Sequence, residues 1–286
     1  MYGTKTTTMT GTTMKKSNNG IEVFQFDRLG RPEGITHFIT TRHGGVSIGN
    51  YRSMSLGVFC EDDPLAVSEN RRRLCEAMEI PEGHLVVPHQ IHGDILRVID
   101  HSFLSLPTEE QQAFIDGTDA LITYEPDICI GVTTADCVPV LIYAQDKKIV
   151  AAIHAGWRGT VQQIVSKTIK FLNSQFGCDA KYMLAGIGPA IGVEAYPVGE
   201  DVVSQFASSG LNLDFFVKRD TATGKPHVDL CEANRQQLLD CGLESENIEV
   251  AGLCTYARSD DFFSARRSGI RSGRMLSCIM LKKEKI

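Results

Sequence analysis

The residue types best suited to chemistry in this chain are a thiol and an imidazole, Cys137 and His154. Two apolar runs rich in β-branched residues, 138–144 and 149–154, flank a polar turn of four residues. Such a pattern predicts a β-hairpin. Cys137 therefore lies just before the first predicted strand, and His154 lies at the end of the second.

The register of this hairpin decides whether the two side chains meet. Closing the turn symmetrically sets Ala144 opposite Ile149, and it then sets Pro139 opposite His154. Cys137 is two residues from Pro139 and hence on the same face of the sheet. Diagonal neighbours on adjacent strands lie roughly 7–8 Å apart, so the thiol and the imidazole can converge on one point. Proline cannot donate to a ladder, which predicts that this strand is an edge strand or is bulged.

A cysteine and a histidine on one sheet face have three interpretations. In the first interpretation both are core residues, since free cysteine is among the most buried residue types. In the second they form a thiolate–imidazolium nucleophile, in which the base activates the thiol. In the third they are two ligands of a metal ion that accepts sulfur and nitrogen, for which zinc is the default. Spacing leaves the three interpretations open.

The segment after His154 favours a binding site. It reads Ala-Gly-Trp-Arg-Gly and contains the only tryptophan of the chain, Trp157, followed by Arg158. Glycines allow the backbone to approach a ligand closely, and a tryptophan beside an arginine suits a planar or anionic substrate. Arg42 is a further candidate, because it precedes Gly44 and Gly45. Exposed amides and a guanidinium suit phosphate, although a solvated surface charge explains Arg42 equally well.

Several separated motifs resemble those of one protein family. TTADCVPV at 133–140 and HAGWRG at 154–159 resemble the signature segments of the laccase-domain family, formerly labelled multicopper polyphenol oxidases and now regarded as zinc-dependent purine nucleoside phosphorylases. Further matching segments are TRHGGVS at 41–47, QIHG at 90–93, GIGP at 186–189 with Tyr196, FFS at 262–264 with Arg267, and GR at 273–274. The resemblance covers about residues 35 to 282.

The resemblance implies a zinc site with three protein ligands, His92, Cys137 and His154. It selects His92 rather than His89, and an odd spacing would prevent both from sharing one strand face. Three ligands leave a fourth position for water or substrate, which is the pattern of a catalytic zinc site. Copper fits less well, because a laccase needs a histidine-rich cluster and the eight histidines of the chain are scattered.

The resemblance also implies phosphorolysis of adenosine, inosine and methylthioadenosine, with adenosine deamination as an additional activity. Purine nucleosides and phosphate are the implied partners. The expected catalytic residues are Cys137, His92, His154 and Arg42, and the expected substrate contacts are Arg42, Arg158 and Trp157. Deamination also needs a carboxylate that shuttles protons. Asp136 adjoins Cys137 but points to the opposite face of a regular strand, so a bulge would be required.

Two other classes of function stay open. One is a metal-free Cys–His hydrolase with Cys137 as the nucleophile, and the other is a zinc-stabilised binding protein without turnover. Metal content and phosphate dependence of product release distinguish the three.

Composition is consistent with an enzyme of the cytoplasm. The net charge of −6 argues against nucleic-acid and anionic-membrane partners, and no protein partner is identified. No apolar run is long enough to span a bilayer, and no apolar leader marks the chain for export. Nine cysteines without a CxxC pair indicate reduced thiols.

Strands and helices that alternate irregularly must position these residues. This pattern predicts an α+β fold rather than a doubly wound sheet, and the resemblance implies a layered α/β/β/α sandwich with mixed sheets. We expect a single catalytic laccase-type domain at 21–286, after a disordered tail at 1–20 that is rich in threonine, lysine and asparagine. The three-four spacing of apolar residues from Val161 to Phe176 predicts a helix that Gly177 ends. The arginine run at 71–73 predicts a solvated helix face.

Overall fold

A computed structural model describes residues 8–9, 12–17 and 20–283. Within these residues the strands are β1 (Thr8–Met9), β2 (Thr12–Lys16), β3 (Glu22–Phe26), β4 (Ile35–Thr40), β5 (Leu85–Val86), β6 (Leu96–Val98), β7 (Ala120–Thr123), β8 (Cys129–Thr134), β9 (Val138–Ala144), β10 (Ile149–Ala155), β11 (Met183–Ile187), β12 (Val217–Arg219), β13 (Pro226–Val228), β14 (Ile248–Val250) and β15 (Met275–Leu281). The α-helices are α1 (Pro64–Met78), α2 (His101–Leu104), α3 (Thr108–Ile115), α4 (Trp157–Val161), α5 (Ile164–Phe176), α6 (Glu200–Ser208), α7 (Leu230–Asp240) and α8 (Ala265–Ser268).

Two large mixed sheets carry the fold. The first has the order β1-β2-β3-β4-β15-β8-β5, and its only parallel pair in the described part of the chain is β5 with β8. The second has the order β14-β11-β9-β10-β7-β6, with parallel pairs at β11–β14 and β6–β7. A separate ribbon is formed by β12 and β13.

The two sheets pack face to face and are covered by helices on their outer faces. Phe26 and Ile130 of the first sheet share an apolar cluster with Leu141 and Val150 of the second. The outer face of the second sheet packs against α5 and α7, and that of the first packs against α1 through residues such as Leu74. The predicted α/β/β/α sandwich of one domain is therefore confirmed. No helix among the described residues is long and apolar enough to cross a membrane.

The central hairpin has the predicted register, with Ile149 opposite Ala144 and His154 opposite Pro139. The prediction of an edge strand or a bulge is wrong, because β9 lies between β10 and β11. The ladder between β9 and β11 ends at Val140. Beyond it, the Pro139 carbonyl accepts a hydrogen bond from the Gly188 amide at 2.9 Å. A backbone N–H at position 139 would point to the same side as this carbonyl, beyond the end of the β9–β11 ladder. The missing N–H of Pro139 therefore removes no hydrogen bond of that ladder.

The predicted helix after Arg158 is two helices, α4 and α5. Gln163 separates them with a left-handed backbone, φ +59°. The buried face of α5 carries the predicted residues Ile164, Val165, Thr168 and Leu172, and Gly177 ends the helix in the left-handed conformation, φ +66°.

The N-terminal segment is a correction to the expected tail. β2 pairs antiparallel with the whole of β3, from Thr12 opposite Phe26 to Lys16 opposite Glu22. Ladder hydrogen bonds stabilise this polar strand, and Met14 packs against the core between the sheets. The prediction of disorder is thus wrong for 12–16, while 1–7, 10–11 and 18–19 lie outside the described residues.

Candidate active site

The structure brings His92, Cys137 and His154 together. Their potential ligand atoms all lie within 4.8 Å of one another. The two imidazole rings are nearly perpendicular, with centroids 4.8 Å apart and an interplanar angle of 78°. The hairpin register alone predicted the approach of Cys137 to His154, whereas His92 comes from a distant loop.

Each of the three residues is positioned by a different element. His154 is the next-to-last residue of β10, and Cys137 lies in the bend that leads from β8 into β9. His92 lies in the loop between β5 and β6 and has a left-handed backbone, φ +63°. Gln90 fixes this loop, because its side-chain amide exchanges two hydrogen bonds with the main chain of Thr133 on β8, each 2.8 Å long.

A buried carboxylate, Asp119, holds two of these elements in place. Its Oδ1 lies 2.7 Å from Nδ1 of His154 and 3.0 Å from the His92 amide. Its Oδ2 accepts the amide of Gly93 at 2.8 Å. A carboxylate on one ring nitrogen of histidine fixes the tautomer and directs the other nitrogen toward a ligand. Nε2 of His154 is therefore the nitrogen available to a metal or a substrate.

Charges within the group shift the pKa values of its members. Burial raises the pKa of the Cys137 thiol, but the opposing effects of His154 and His92 are larger and lower it to about 6. Burial lowers the pKa of His154, but Cys137 and Asp119 outweigh this and raise it to about 9. Both shifts favour the charged forms, because the Cys137 thiolate and the His154 imidazolium stabilise each other. A thiolate is also the form of cysteine that binds metal ions.

The three residues fit a metal ion that accepts sulfur and nitrogen. One thiolate and two imidazoles form the donor set of catalytic zinc sites with an open fourth position. Gly156 leaves room for the side chains of this group, because a Cβ there would lie 2.9 Å from Cδ2 of His92 and 3.1 Å from Sγ of Cys137. The first glycine of the HAGWRG segment is thus required by its close approach to His92 and Cys137.

A cavity of about 690 Å³ opens on this group and is lined by all three residues. Its volume is in the range of small-molecule binding sites. Aromatic side chains contribute to its wall, among them Trp157, Tyr196 and Phe59. The Phe59 ring lies 4.1 Å from that of His89, and Asp116 holds His89 through a 2.7 Å contact. His89 lines the cavity as well but lies outside the three-residue group.

Comparison with known proteins decides the family. The model of the family described as multi-copper polyphenol oxidoreductase laccase matches residues 36–282. The chain belongs to this laccase family. The resemblance carried by the sequence motifs is therefore confirmed.

Relatives of this laccase-family protein have enzymatic names. A purine nucleoside phosphorylase of Bacteroides thetaiotaomicron is 44% identical over 259 residues, which cover 90% of this chain and 96% of that protein. Adenosine deaminase RL5, from an unknown prokaryotic organism, is 38% identical over 262 residues, 92% of this chain and 100% of that protein. The crystal structure of YlmD from Geobacillus stearothermophilus has a TM-score of 0.85 at 32% identity and covers 94% of this chain and 99% of that one. The expectation that the chain is an enzyme is confirmed.

Arg42, predicted as a phosphate ligand and catalytic residue, lies elsewhere in the laccase-family structure. It is not among the residues that line the cavity. Its Nε donates to the carbonyl of Arg52 at 2.8 Å, and its Nη1 donates to that of Ser259 at 2.6 Å. The guanidinium also lies 4.7 Å from the ring centre of Phe263. The guanidinium thus joins two loops and does not line the cavity, and phosphate binding by Arg42 stays a prediction.

Trp157 and Arg158, the other predicted substrate contacts, lie beside the site. Trp157 lines the cavity at the first position of α4. Arg158 is exposed, and its Cζ lies 4.5 Å from the centre of the tryptophan ring. Substrate contact by these two residues stays a prediction.

Asp136 reaches the cavity wall by an irregular backbone. Its φ of +91° interrupts the strand pattern, so the carboxylate lies beside the site together with Cys137. Thr255 donates its hydroxyl to one carboxylate oxygen at 2.6 Å, and the Arg266 amide donates to the other at 2.7 Å. The expected bulge is thus replaced by a left-handed residue, and the carboxylate fixes the segment that carries α8.

Sequence reasoning missed two of the residues that build this site. One feature of the sequence pointed to Asp119, which is a single acidic residue directly before the apolar run of β7. Arg71 was predicted to be solvated, but it donates to the carbonyl of Leu56 through Nε at 3.1 Å and lines the cavity. Helical spacing could have shown this, because Arg71 follows Val67 by four residues and precedes Leu74 by three, and both are buried.

Proposed function

We propose that this chain is a zinc-dependent purine nucleoside phosphorylase that acts on adenosine, inosine and methylthioadenosine. One observation carries the proposal: the group of His92, Cys137 and His154 opens on a cavity of about 690 Å³, a volume suited to a nucleoside. The name and 44% identity of the Bacteroides relative support the same activity. The donor set favours zinc over copper, because only three donors converge in the described part of the chain.

The reaction makes distinct demands on the protein. A phosphate oxygen forms a bond to ribose C1′ while the bond from C1′ to purine N9 breaks. The electron pair of that bond leaves on the purine, which takes up a proton. A bound zinc would supply Lewis acidity that stabilises developing negative charge. The chain itself must hold the purine, bind the phosphate and fix both in line.

The cavity wall offers groups for these tasks. Trp157 presents a flat aromatic side chain to the cavity, which suits stacking with a purine. Arg158 is stacked on Trp157 but does not line the cavity, and it is a candidate cation for the anionic nucleophile. Asp119 acts through His154 and is a positioning residue, since it contacts the His154 ring but does not line the cavity.

Adenosine deamination is a second candidate activity. The 38% identity to a protein named adenosine deaminase RL5 favours it. In this reaction a water oxygen bonds to adenine C6 and ammonia leaves, so protons must move from the water to the amine. We infer that Asp136 is the carboxylate for this transfer, because it lines the cavity next to Cys137.

A metal-free Cys–His hydrolase is the competing mechanism. The lowered pKa of Cys137, about 6, would suit a nucleophile as well as a metal ligand. In that mechanism water finally releases the product, so phosphate would have no effect. Without a metal ion, His92 would also have no role as a third ligand.

The decisive experiment incubates the protein with inosine or adenosine, with and without phosphate, and separates the products by chromatography. We expect base and ribose-1-phosphate only when phosphate is present, and about one zinc per chain by elemental analysis. Cys137→Ala should lose the metal and the activity, whereas Cys241→Ala, a half-buried thiol outside the site, should keep both. Release of free ribose without phosphate, or full activity of metal-free protein, would refute the proposal.

A further inference from the structure

Three guanidinium groups line the cavity, and two of them are already engaged by the main chain. Arg71 donates through Nε and Nη2 to the carbonyl of Leu56, at 3.1 and 2.9 Å. Arg274 donates to carbonyls of its own loop, including that of Ser272 at 2.6 Å. Arg266 is the third, and its side chain has no acceptor among the described residues. Of the three, only Arg266 can give all its side-chain donors to a ligand.

The backbone of Arg266 is fixed next to the three-residue group. Its amide donates to Oδ2 of Asp136 at 2.7 Å, and Asp136 directly precedes Cys137. Its guanidinium lies over the ring of Tyr196, 5.0 Å from the centre, and Tyr196 also lines the cavity. Stacking on an aromatic face orients the planar guanidinium and leaves its N–H edges free.

Arg158 repeats this arrangement. Its guanidinium is stacked on Trp157 and has no hydrogen-bond acceptor among the residues that the structure describes. Arg158 does not line the cavity, however, so Arg266 is the unengaged guanidinium at the cavity wall in the described part of the chain.

We propose that Arg266, held over the Tyr196 ring at the cavity wall, forms the subsite for inorganic phosphate. The inference rests on the proposed function, for which it supplies the binding site of the nucleophile. A planar guanidinium with free N–H edges matches the charge and the oxygen geometry of phosphate. Both oxygens of the neighbouring Asp136 carboxylate already accept hydrogen bonds, from the Thr255 hydroxyl and the Arg266 amide, and neither accepts one from the Arg266 guanidinium.

The test compares Arg266→Met with Arg267→Met in the metal-loaded enzyme. Arg267 is the matched control: it is also exposed and stacked on a tyrosine, 5.1 Å from the Tyr256 ring centre, but it donates to the Tyr256 carbonyl and does not line the cavity. Loss of charged hydrogen bonds should raise the KM for phosphate by about 10- to 100-fold in Arg266→Met. Metal content and the KM for nucleoside should stay unchanged. An unaltered phosphate KM, or an equal rise in Arg267→Met, would overturn the inference.

A second measurement separates this inference from the proposed function. Titration of inorganic phosphate into metal-loaded protein without nucleoside, followed by ³¹P NMR line broadening, reports binding even if no phosphorolysis occurs. Wild type that binds phosphate and Arg266→Met that does not would support the subsite, whatever the reaction. Wild type without binding, or a variant that binds as well as wild type, would refute the subsite while leaving the phosphate-dependence assay to decide the function.

Discussion

Oδ1 of Asp119 lies 2.7 Å from Nδ1 of His154, and both side chains are almost completely buried, 0% and 3% exposed. The same carboxylate accepts the amides of His92 and Gly93. One acidic side chain therefore fixes the orientation of one candidate ligand and the loop of another. Since these ligands come from different elements of the fold, the site depends on Asp119 for its geometry.

Asp119→Asn should weaken metal binding while leaving all three ligands in place. The amide cannot replace the carboxylate on both the His154 ring and the loop amides, and loss of such partners lowers metal affinity about 10- to 100-fold. Competition with a chromophoric chelator measures the affinity. Asp116→Asn is the control, because this exposed carboxylate holds only His89. Equal affinity of wild type and Asp119→Asn would contradict the positioning role.

Gly156→Ala should damage the site by contact alone. The backbone of Gly156, φ −69° and ψ 172°, is accessible to alanine, but the new Cβ would lie 2.9 Å from His92 and 3.1 Å from Cys137. Gly93→Ala is the matched control, since its Cβ would meet no atom closer than 3.5 Å. We expect Gly156→Ala to lose most of its zinc and Gly93→Ala to keep it, as measured by elemental analysis. Zinc retained in Gly156→Ala would show that the ligands move freely.

Arg42→Met should destabilise the protein without changing its use of phosphate. Its hydrogen bonds to two main-chain carbonyls would be lost, which corresponds to about 1–3 kcal/mol in the free energy of unfolding. Denaturant titration measures the loss, and steady-state kinetics should show an unchanged KM for phosphate. A phosphate KM raised as in Arg266→Met would restore the role that the sequence had assigned to Arg42.

His37 should make the protein less stable as the pH falls from about 6.5 to about 4. Burial first, and the charge of Lys15 second, lower the pKa of His37 from 6.5 to about 4. The neutral ring accepts the Phe26 amide at 2.9 Å. Below 6.5 the unfolded chain binds a proton that the folded chain refuses, so stability present above pH 6.5 is lost as the pH falls toward 4.

The shift corresponds to about 3 kcal/mol at full effect. His37→Gln should flatten the dependence of unfolding free energy on pH across this window, whereas the exposed His101→Gln should not. Denaturant titrations at half-unit pH intervals measure both. Identical slopes in His37→Gln and wild type would show that His37 is not the responsible group.

The local part of the site could be predicted from sequence, and the long-range part could not. Symmetric closure of one turn fixes the approach of Cys137 to His154, because cross-strand neighbours are close in sequence. His92 enters from another loop through Asp119 and Gln90, and no local pattern contains that contact. Motif resemblance supplied His92, but not the carboxylate that holds it.

The roles of the arginines could not be predicted from sequence either. Arg42, Arg158 and Arg266 are alike in type and proximity to glycines or aromatic residues, and sequence does not reveal which donors are already engaged. The structure separates them by their acceptors: Arg42 has two main-chain carbonyls, while Arg158 and Arg266 have none among the described residues. The polar strand β2 was missed for a related reason, since its pairing with β3 leaves no mark in composition.

The most direct test of the account follows the oxygen atom that reaches the sugar. The enzyme is incubated with inosine and phosphate in H₂¹⁸O, and the sugar product is analysed by mass spectrometry. Since phosphate is the nucleophile at C1′, we predict ribose-1-phosphate without ¹⁸O at C1′. Ribose that carries ¹⁸O at C1′ would show that water attacks, and it would contradict phosphorolysis at this site.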